Sequence, residues 1–191
     1  MHSQNWTTLP AGLPVPTDDG AAAHLTGTKL PSIALAATTG GAVDLSAQRG
    51  RTVVFAYPRT GKPGEAPLTP DWDMIPGARG CTPHTCGFRD LYGELQALGC
   101  AVYGLSTQDT DYQREMADRL HVPFPVLSDA RLELTRALRL PTFTVASQVL
   151  LKRLAWVAED GRISKVFYPV FPPDKNAEEV LSWLGGARAA R

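Results

Sequence analysis

The chain has 191 residues, ample for one domain with or without an arm, and its 43% hydrophobic and 20% charged content is ordinary for a globular protein. Nineteen basic residues balance 19 acidic ones with no basic run, so no nucleic-acid or membrane-surface partner is expected. No stretch of about 18 apolar residues spans a bilayer, the start lacks a signal-peptide pattern, and three cysteines are too few for a secreted disulfide framework, so a cytoplasmic protein is expected.

Residues 1–28 are rich in Pro, Thr, Gly and Ala with little apolar periodicity, and read as an arm that lies over the domain or is partly disordered. The domain is expected over 29–191. RTVVFAYP is β-branched and aromatic and stops at Pro58, as a buried strand does. A Pro-rich segment without periodicity, about 59–77, follows; a loop of this length inside a compact domain tends to be functional. Thr82 can cap the next helix with Pro83 in its first turn. Its apolar face runs Phe88, Leu91, Leu95 and Leu98 to a stop at Gly99.

CAVYGLS is a second strand, and TDYQREMADRL a helix with Tyr112, Met116 and Leu120 on one face. Ser128 can cap DARLELTRALRL. LLKRLAWVAEDGRISKVFYP reads as a hairpin about Asp160-Gly161. Asn176 and Glu179 resemble a capping box for AEEVLSWL, ended by Gly185. This order, with right-handed crossovers, predicts an α/β fold: a central mixed sheet with helices on both faces. Cys81 then falls beyond a strand's carboxyl end, where open α/β sheets bind ligands.

GCTPHTCGFRD carries two of the three cysteines, and four readings of them compete. A metal site finds only Cys81, Cys86 and His84, short of the four ligands of a structural zinc site; no metal and no cofactor are expected. A static disulfide conflicts with helix geometry. Five residues give about 7.5 Å of rise and roughly 140° of rotation, against Cβ atoms about 4 Å apart in a disulfide. A redox pair fits better: the helix N-terminus, Arg79 and Arg89 would favour a Cys81 thiolate, attack on a peroxide would give a sulfenic acid, and Cys86 would condense with it once the helix start melts. The fourth reading gives the two cysteines no role. Cys100 reads as a small buried hydrophobe, and the histidines as surface or loop residues.

The run GCTPHTCGFRD resembles the active-site segment of the peroxiredoxins, in particular the bacterioferritin-comigratory or peroxiredoxin Q branch. VVFAYP, YGLSTQD, VPFPVLSD and KRLAWVAEDGRI are similar to its flanking segments, from about Leu30 to Leu184. The resemblance implies a thioredoxin-like fold and a thiol peroxidase acting on hydrogen peroxide and alkyl hydroperoxides, recycled by thioredoxin or a similar dithiol, as a monomer or weak homodimer. It implies that Cys81 is peroxidatic, Cys86 resolving and Arg153 the arginine that orients the peroxide, with Lys152 its rival. Pro58 and Thr82 are the expected substrate-binding residues. The chain departs from the family pattern where a proline and a threonine precede the reactive cysteine by seven and three residues: it has Met74 and Ala78. Thr82, Thr60 and Thr69 are candidates for the missing hydroxyl, and Trp72, Ile75 and VFYPVFPP for an apolar pocket wall. The alternatives are a thioredoxin-type disulfide oxidoreductase and a non-enzymatic redox sensor.

Overall fold

The computed structural model describes residues 8–189; residues 1–7 of the expected arm and 190–191 lie outside it. The strands are β1 (Ala34–Ala37), β2 (Ala42–Asp44), β3 (Arg51–Ala56), β4 (Cys100–Ser106), β5 (Val126–Ser128), β6 (Thr142–Val145), β7 (Gln148–Leu151), β8 (Leu154–Glu159) and β9 (Arg162–Phe167). The helices are α1 (Cys81–Asp90), α2 (Tyr92–Ala97), α3 (Thr110–Arg119), α4 (Glu133–Leu138) and α5 (Asn176–Ala189). Seven strands form one sheet in the order β2-β1-β5-β4-β3-β8-β9, and β6-β7 form a separate hairpin. The central trio β3, β4 and β5 is parallel, while β8 and β1 join it antiparallel on either side.

The period-2 alternation of the strands sorts the core into two halves. Val53, Phe55 and Tyr57 point to one face with Phe88, Leu95, Met116, Val180 and Leu184 of four helices. Val54 and Ala56 point to the other, against Leu134 and Leu138 of α4 and against Leu25 and Leu30 near the N-terminus. Trp156 in β8 is fully buried on that second face. Gly104 in β4 leaves space for Phe55: a Cβ there would lie 3.1 Å from the ring. Phe55 in turn stacks on Phe88 of α1 with centroids 4.3 Å apart. The sheet thereby fixes α1 against the carboxyl end of β3.

Several elements differ from the sequence expectation. The helix expected to be capped by Thr82 and to run to Gly99 is capped two residues earlier and is divided at Leu91. Gly80 is its N-cap, at φ +105°, a left-handed conformation that glycine accepts without strain. The hydrogen bonds Leu91 N to Gly87 O and Leu95 N to Leu91 O carry the chain through the division. The helix α4 starts at Glu133, not right after Ser128: its N-cap is Leu132, at φ +57°, the Asp129 carboxylate accepts from the amides of Leu134 and Thr135, and Ser128 donates to Gln108 O. In α3 the buried face is Gln113, Met116 and Ala117, and Tyr112 is turned outward. α5 continues past Gly185, since an interior glycine is only about 1 kcal/mol worse than alanine.

The expected β8–β9 hairpin turns at Asp160-Gly161, with φ of +47° and +76°, but it starts at Leu154. Leu150 and Leu151 belong instead to β7, paired with β6. Lys152 and Arg153 are therefore the hinge between the small hairpin and the main sheet. The Pro-rich segment is held down at three points. Thr60 N and Oγ1 donate to Gln108 Oε1, and Gln108 Nε2 donates to Thr60 O. Arg59 and Lys62 lie over the Tyr112 ring at 4.9 and 4.4 Å. Trp72 buries against Leu150 and the half-buried Phe143. In the N-terminal segment, Asp19 accepts from Lys152 Nζ at 2.6 Å and from the Tyr168 hydroxyl at 2.7 Å, and these bonds hold its carboxyl well below the usual carboxylate range.

Candidate active site

Cys81 opens α1 directly after the left-handed Gly80 and is 4% exposed. No side chain caps the helix start. Arg153 Nη2 donates to Cys81 Sγ at 3.1 Å and also to the carbonyls of Gly77, Ala78 and Arg79 at 3.2–3.3 Å. The sulfur lies 3.5 Å from Ala78 O. A chain reversal over residues 77–80 thus presents three carbonyls to one guanidinium nitrogen, which fixes the guanidinium over the sulfur. Lys152 turns away to Asp19, so Arg153 is the residue that reaches Cys81.

Arg153 is 3% exposed, and among the described residues no carboxylate pairs with it; its partners are three carbonyls, His84 Nδ1 and Cys81 Sγ. A buried cation without a counter-charge is costly. The one bonded group able to become an anion is the Cys81 sulfur.

The cleft at Cys81 has a volume of about 10 Å³ and is lined by Arg59, Thr60, Gly61, Trp72, Arg79, Gly80 and Thr82. Arg79 contributes a second buried guanidinium, 3.4 Å from Asp73. Of the threonines considered for the missing hydroxyl, Thr60 and Thr82 reach this cleft. Thr69 does not; its hydroxyl bonds Asp71. The Thr60 hydroxyl is already directed at Gln108. Ala78 is buried beside the sulfur and Met74 is 71% exposed. Pro58 is buried at the end of β3 but is not part of the cleft lining. Burial pushes the Tyr57 hydroxyl well above the usual phenol range, with the Cys81 sulfur acting in the same direction, so it stays protonated. A separate cavity of about 100 Å³ is lined by Pro16, Pro76, Phe143, Tyr168 and Pro169 together with Arg153; the tail thus contributes to an apolar wall there, while Trp72 faces the Cys81 cleft instead.

Cys86 is half-buried on the same helix, beside Pro83, Gly87, Asp174 and Glu178. Burial pushes its thiol up, partly offset by the charge of Arg89. Arg89, expected near Cys81, is committed to the far end of α1, bonding Asp90 and Leu120 O. All three cysteines are free thiols. Among the described residues no group of three or more His, Cys, Asp or Glu is placed to hold a metal, and no helix is long and apolar enough to cross a membrane.

Besides Arg89, sequence reasoning misplaced His84, which it read as a surface or loop residue. It is fully buried, accepts from Arg153 Nη1 at Nδ1 over 3.0 Å, and meets Asn176 Oδ1 at 2.9 Å through Nε2. A signal was available: counting back four from Phe88 along the apolar face of α1 reaches position 84.

The parallel trio with antiparallel partners, helices on both faces and a buried, arginine-bonded cysteine beyond the carboxyl end of β3 define a thioredoxin-like α/β protein. The chain belongs to the Redoxin family, whose pattern it matches over residues 25–181. Its relatives there are peroxiredoxins of the Q and bacterioferritin-comigratory type. It is 33% identical over 115 residues to peroxiredoxin bcp1 of Schizosaccharomyces pombe, covering 59% of this chain and 50% of that one. It is 28% identical over 160 residues to a chloroplastic peroxiredoxin Q of Oryza sativa, covering 83% and 65%. The chain thus spans between half and two thirds of the length of these curated relatives. Among solved structures it is similar to the peroxidoxin BcpB of Mycobacterium tuberculosis, with a TM-score of 0.67, 28% identity, and coverage of 87% of this chain and 97% of that one. Peroxiredoxin Q of Xanthomonas campestris shares the fold at a TM-score of 0.67 and 20% identity, over 84% and 97%.

Proposed function

We propose that the protein is a thiol peroxidase in which Cys81 attacks hydrogen peroxide and Cys86 resolves the product. The observation that carries this reading is the 3.1 Å contact from Arg153 to Cys81 Sγ, made by a buried cation with no carboxylate partner among the described residues. The thiolate attacks one peroxide oxygen and the O–O bond breaks. The leaving hydroxide takes a proton to become water, and the sulfur is left as a sulfenic acid. The Cys86 sulfur then attacks the Cys81 sulfur, the S–O bond breaks, and a second water leaves as the disulfide forms. Because both cysteines lie in α1, this second step requires the first turns of the helix to unwind. A dithiol of thioredoxin type returns the pair to thiols, in a reducing compartment such as the cytoplasm. A cleft of about 10 Å³ has room for roughly one water-sized group, which favours hydrogen peroxide over bulky alkyl hydroperoxides.

Intact mass after one equivalent of peroxide tests the assignment. The parent protein should lose two hydrogens. Cys86→Ser should gain one oxygen or dimerise through Cys81, and Cys81→Ser should remain largely unchanged. Oxidation of Cys81→Ser at the parent's rate would overturn the assignment of roles. Reduction of insulin disulfides without consumption of peroxide would favour a thioredoxin-type oxidoreductase instead.

A further inference from the structure

Arg153 is held from two sides. Backbone carbonyls of the 77–79 reversal take one nitrogen, and the imidazole of His84 takes the other. A guanidinium only donates, so His84 Nδ1 must be the unprotonated nitrogen and Nε2 must carry the hydrogen. Nε2 then donates to Asn176 Oδ1, and Asn176 Nδ2 donates to Glu179 Oε2 at 3.4 Å. Every link has a defined direction, from Cys81 Sγ back to the surface of α5. The imidazole is locked in plane by edge contacts with Phe55 and Phe88, at centroid distances of 5.1 and 5.5 Å. His84 is 0% and Asn176 1% exposed, so water does not compete for either.

We propose that His84 is a positioning residue: a neutral imidazole strung between Asn176 and Arg153 that aims the guanidinium at Cys81 without offering it a rival negative charge. This rests on the reading of Cys81 as the reacting sulfur. A protonated imidazole would turn an N–H toward the guanidinium and break the link. Burial, and the adjacent Arg153 charge, hold the imidazole well below its ordinary range, which keeps the required form in place. A carboxylate in the same position would satisfy the hydrogen bond but would also supply the counter-charge that is otherwise left to the sulfur. His84 acts on Cys81 only through Arg153; it touches neither the sulfur nor the cleft.

The test is the rate of iodoacetamide alkylation of Cys81, read by mass in a Cys86→Ser/Cys100→Ser background at pH 6 and pH 10, with unfolding midpoints measured alongside. At pH 6 the rate reports how much of the sulfur is thiolate; at pH 10 an ordinary thiol ionises unaided. His84→Gln keeps an acceptor for Arg153 and a donor for Asn176 and should stay within about threefold of the parent at both pH values. His84→Leu should slow alkylation at pH 6 by about tenfold, on the scale of a weakened charge-assisted hydrogen bond, and converge with the parent at pH 10. Asn176→Ala, which frees Nε2 and lets the tautomer change, should slow it at pH 6 to a smaller extent. Should His84→Leu fail to fold, His84→Gln and Asn176→Ala decide. Equal slowing of a variant at both pH values, or no slowing at pH 6 in His84→Leu or Asn176→Ala, overturns the inference and leaves the peroxidase reading standing. The alkylation pattern as expected in a protein that consumes no peroxide has the opposite meaning: the positioning role holds and the peroxidase reading fails.

Discussion

Replacing Arg153 by methionine removes the guanidinium while keeping a side chain of similar reach, and its effect can be sized from the contacts. Nη2 lies 3.1 Å from Cys81 Sγ. Opposite unit charges about 4 Å apart at an effective dielectric near 20 attract by about 4 kcal/mol. Desolvation takes back part of this, and a hydrogen bond to a charged group nets about 1.5–3 kcal/mol. Oxidation of Cys81 by hydrogen peroxide should therefore slow by roughly 10- to 150-fold, at about 1.4 kcal/mol per decade. Stopped-flow oxidation at pH 7 measures this. The fold should also weaken by about 1–3 kcal/mol, because the carbonyls of Gly77, Ala78 and Arg79 lose their shared donor. Arg153→Lys should recover only part of the rate, since an ammonium cannot reach the sulfur, three carbonyls and His84 at once. A methionine variant that folds and oxidises within threefold of the parent would refute the assignment of Arg153 as the charge partner of the sulfur.

Gly80→Ala should be severely destabilised. Its φ of +105° disfavours any Cβ, and that Cβ would lie 2.5 Å from Pro173 Cγ and 2.7 Å from Leu9 Cδ2. A loss above about 2 kcal/mol in urea unfolding is expected, and a neutral result would contradict the packing of the α5 approach against the site. The pH dependence follows from Cys86 and Cys100, both pushed up by burial, so the folded chain holds protons that the unfolded chain releases. Their contribution to stability is complete below the unfolded thiol range near 8.5 and is lost as pH rises through the folded values. Urea midpoints at pH 7.5 and 10 should fall less in Cys86→Ser/Cys100→Ser than in the parent; equal falls would rule out this source.

What could be read from sequence was what local chemistry dictates. RTVVFAYP combines β-branched and aromatic residues and forms an interior strand of the sheet, between β4 and β8. Asp160-Gly161 accepts positive φ at both positions and makes the turn. β1 and β2 escaped notice because ALAA and AVD have weak strand preference, and their order comes from pairing with each other and with β5. β6 and β7 turn at Ala146-Ser147, with φ of +48° and +62°, a turn that composition does not announce. The start of α4 moves four residues from the expected cap Ser128 to Leu132 because Asp129, in place of an N-cap side chain, reaches forward to the free amides of Leu134 and Thr135. For the site, the place of the cysteine pair at a helix start pointed to Cys81, and the resemblance to Arg153. They could not show that Lys152 would be drawn off by Asp19, or that a histidine on a helix start would face inward.

The start of α1 is asked to do two incompatible things in the proposed cycle, and its construction reflects both. Three contacts hold it folded: Thr85 Oγ1 to Cys81 O at 2.9 Å, His84 to Asn176, and Gly87 close against the Asp174 carbonyl. Against these stand the absence of a side-chain cap and a division of the helix at Leu91. Oxidation shifts this balance in one direction. A sulfenic acid is neutral, so the sulfur can no longer offer Arg153 a negative charge, and the added oxygen must fit a cleft of about 10 Å³. The folded start is thus best matched to the thiolate and worst matched to the oxidised sulfur. Unwinding that delivers Cys81 to Cys86 then follows from chemistry at the sulfur itself, without a separate trigger elsewhere in the molecule.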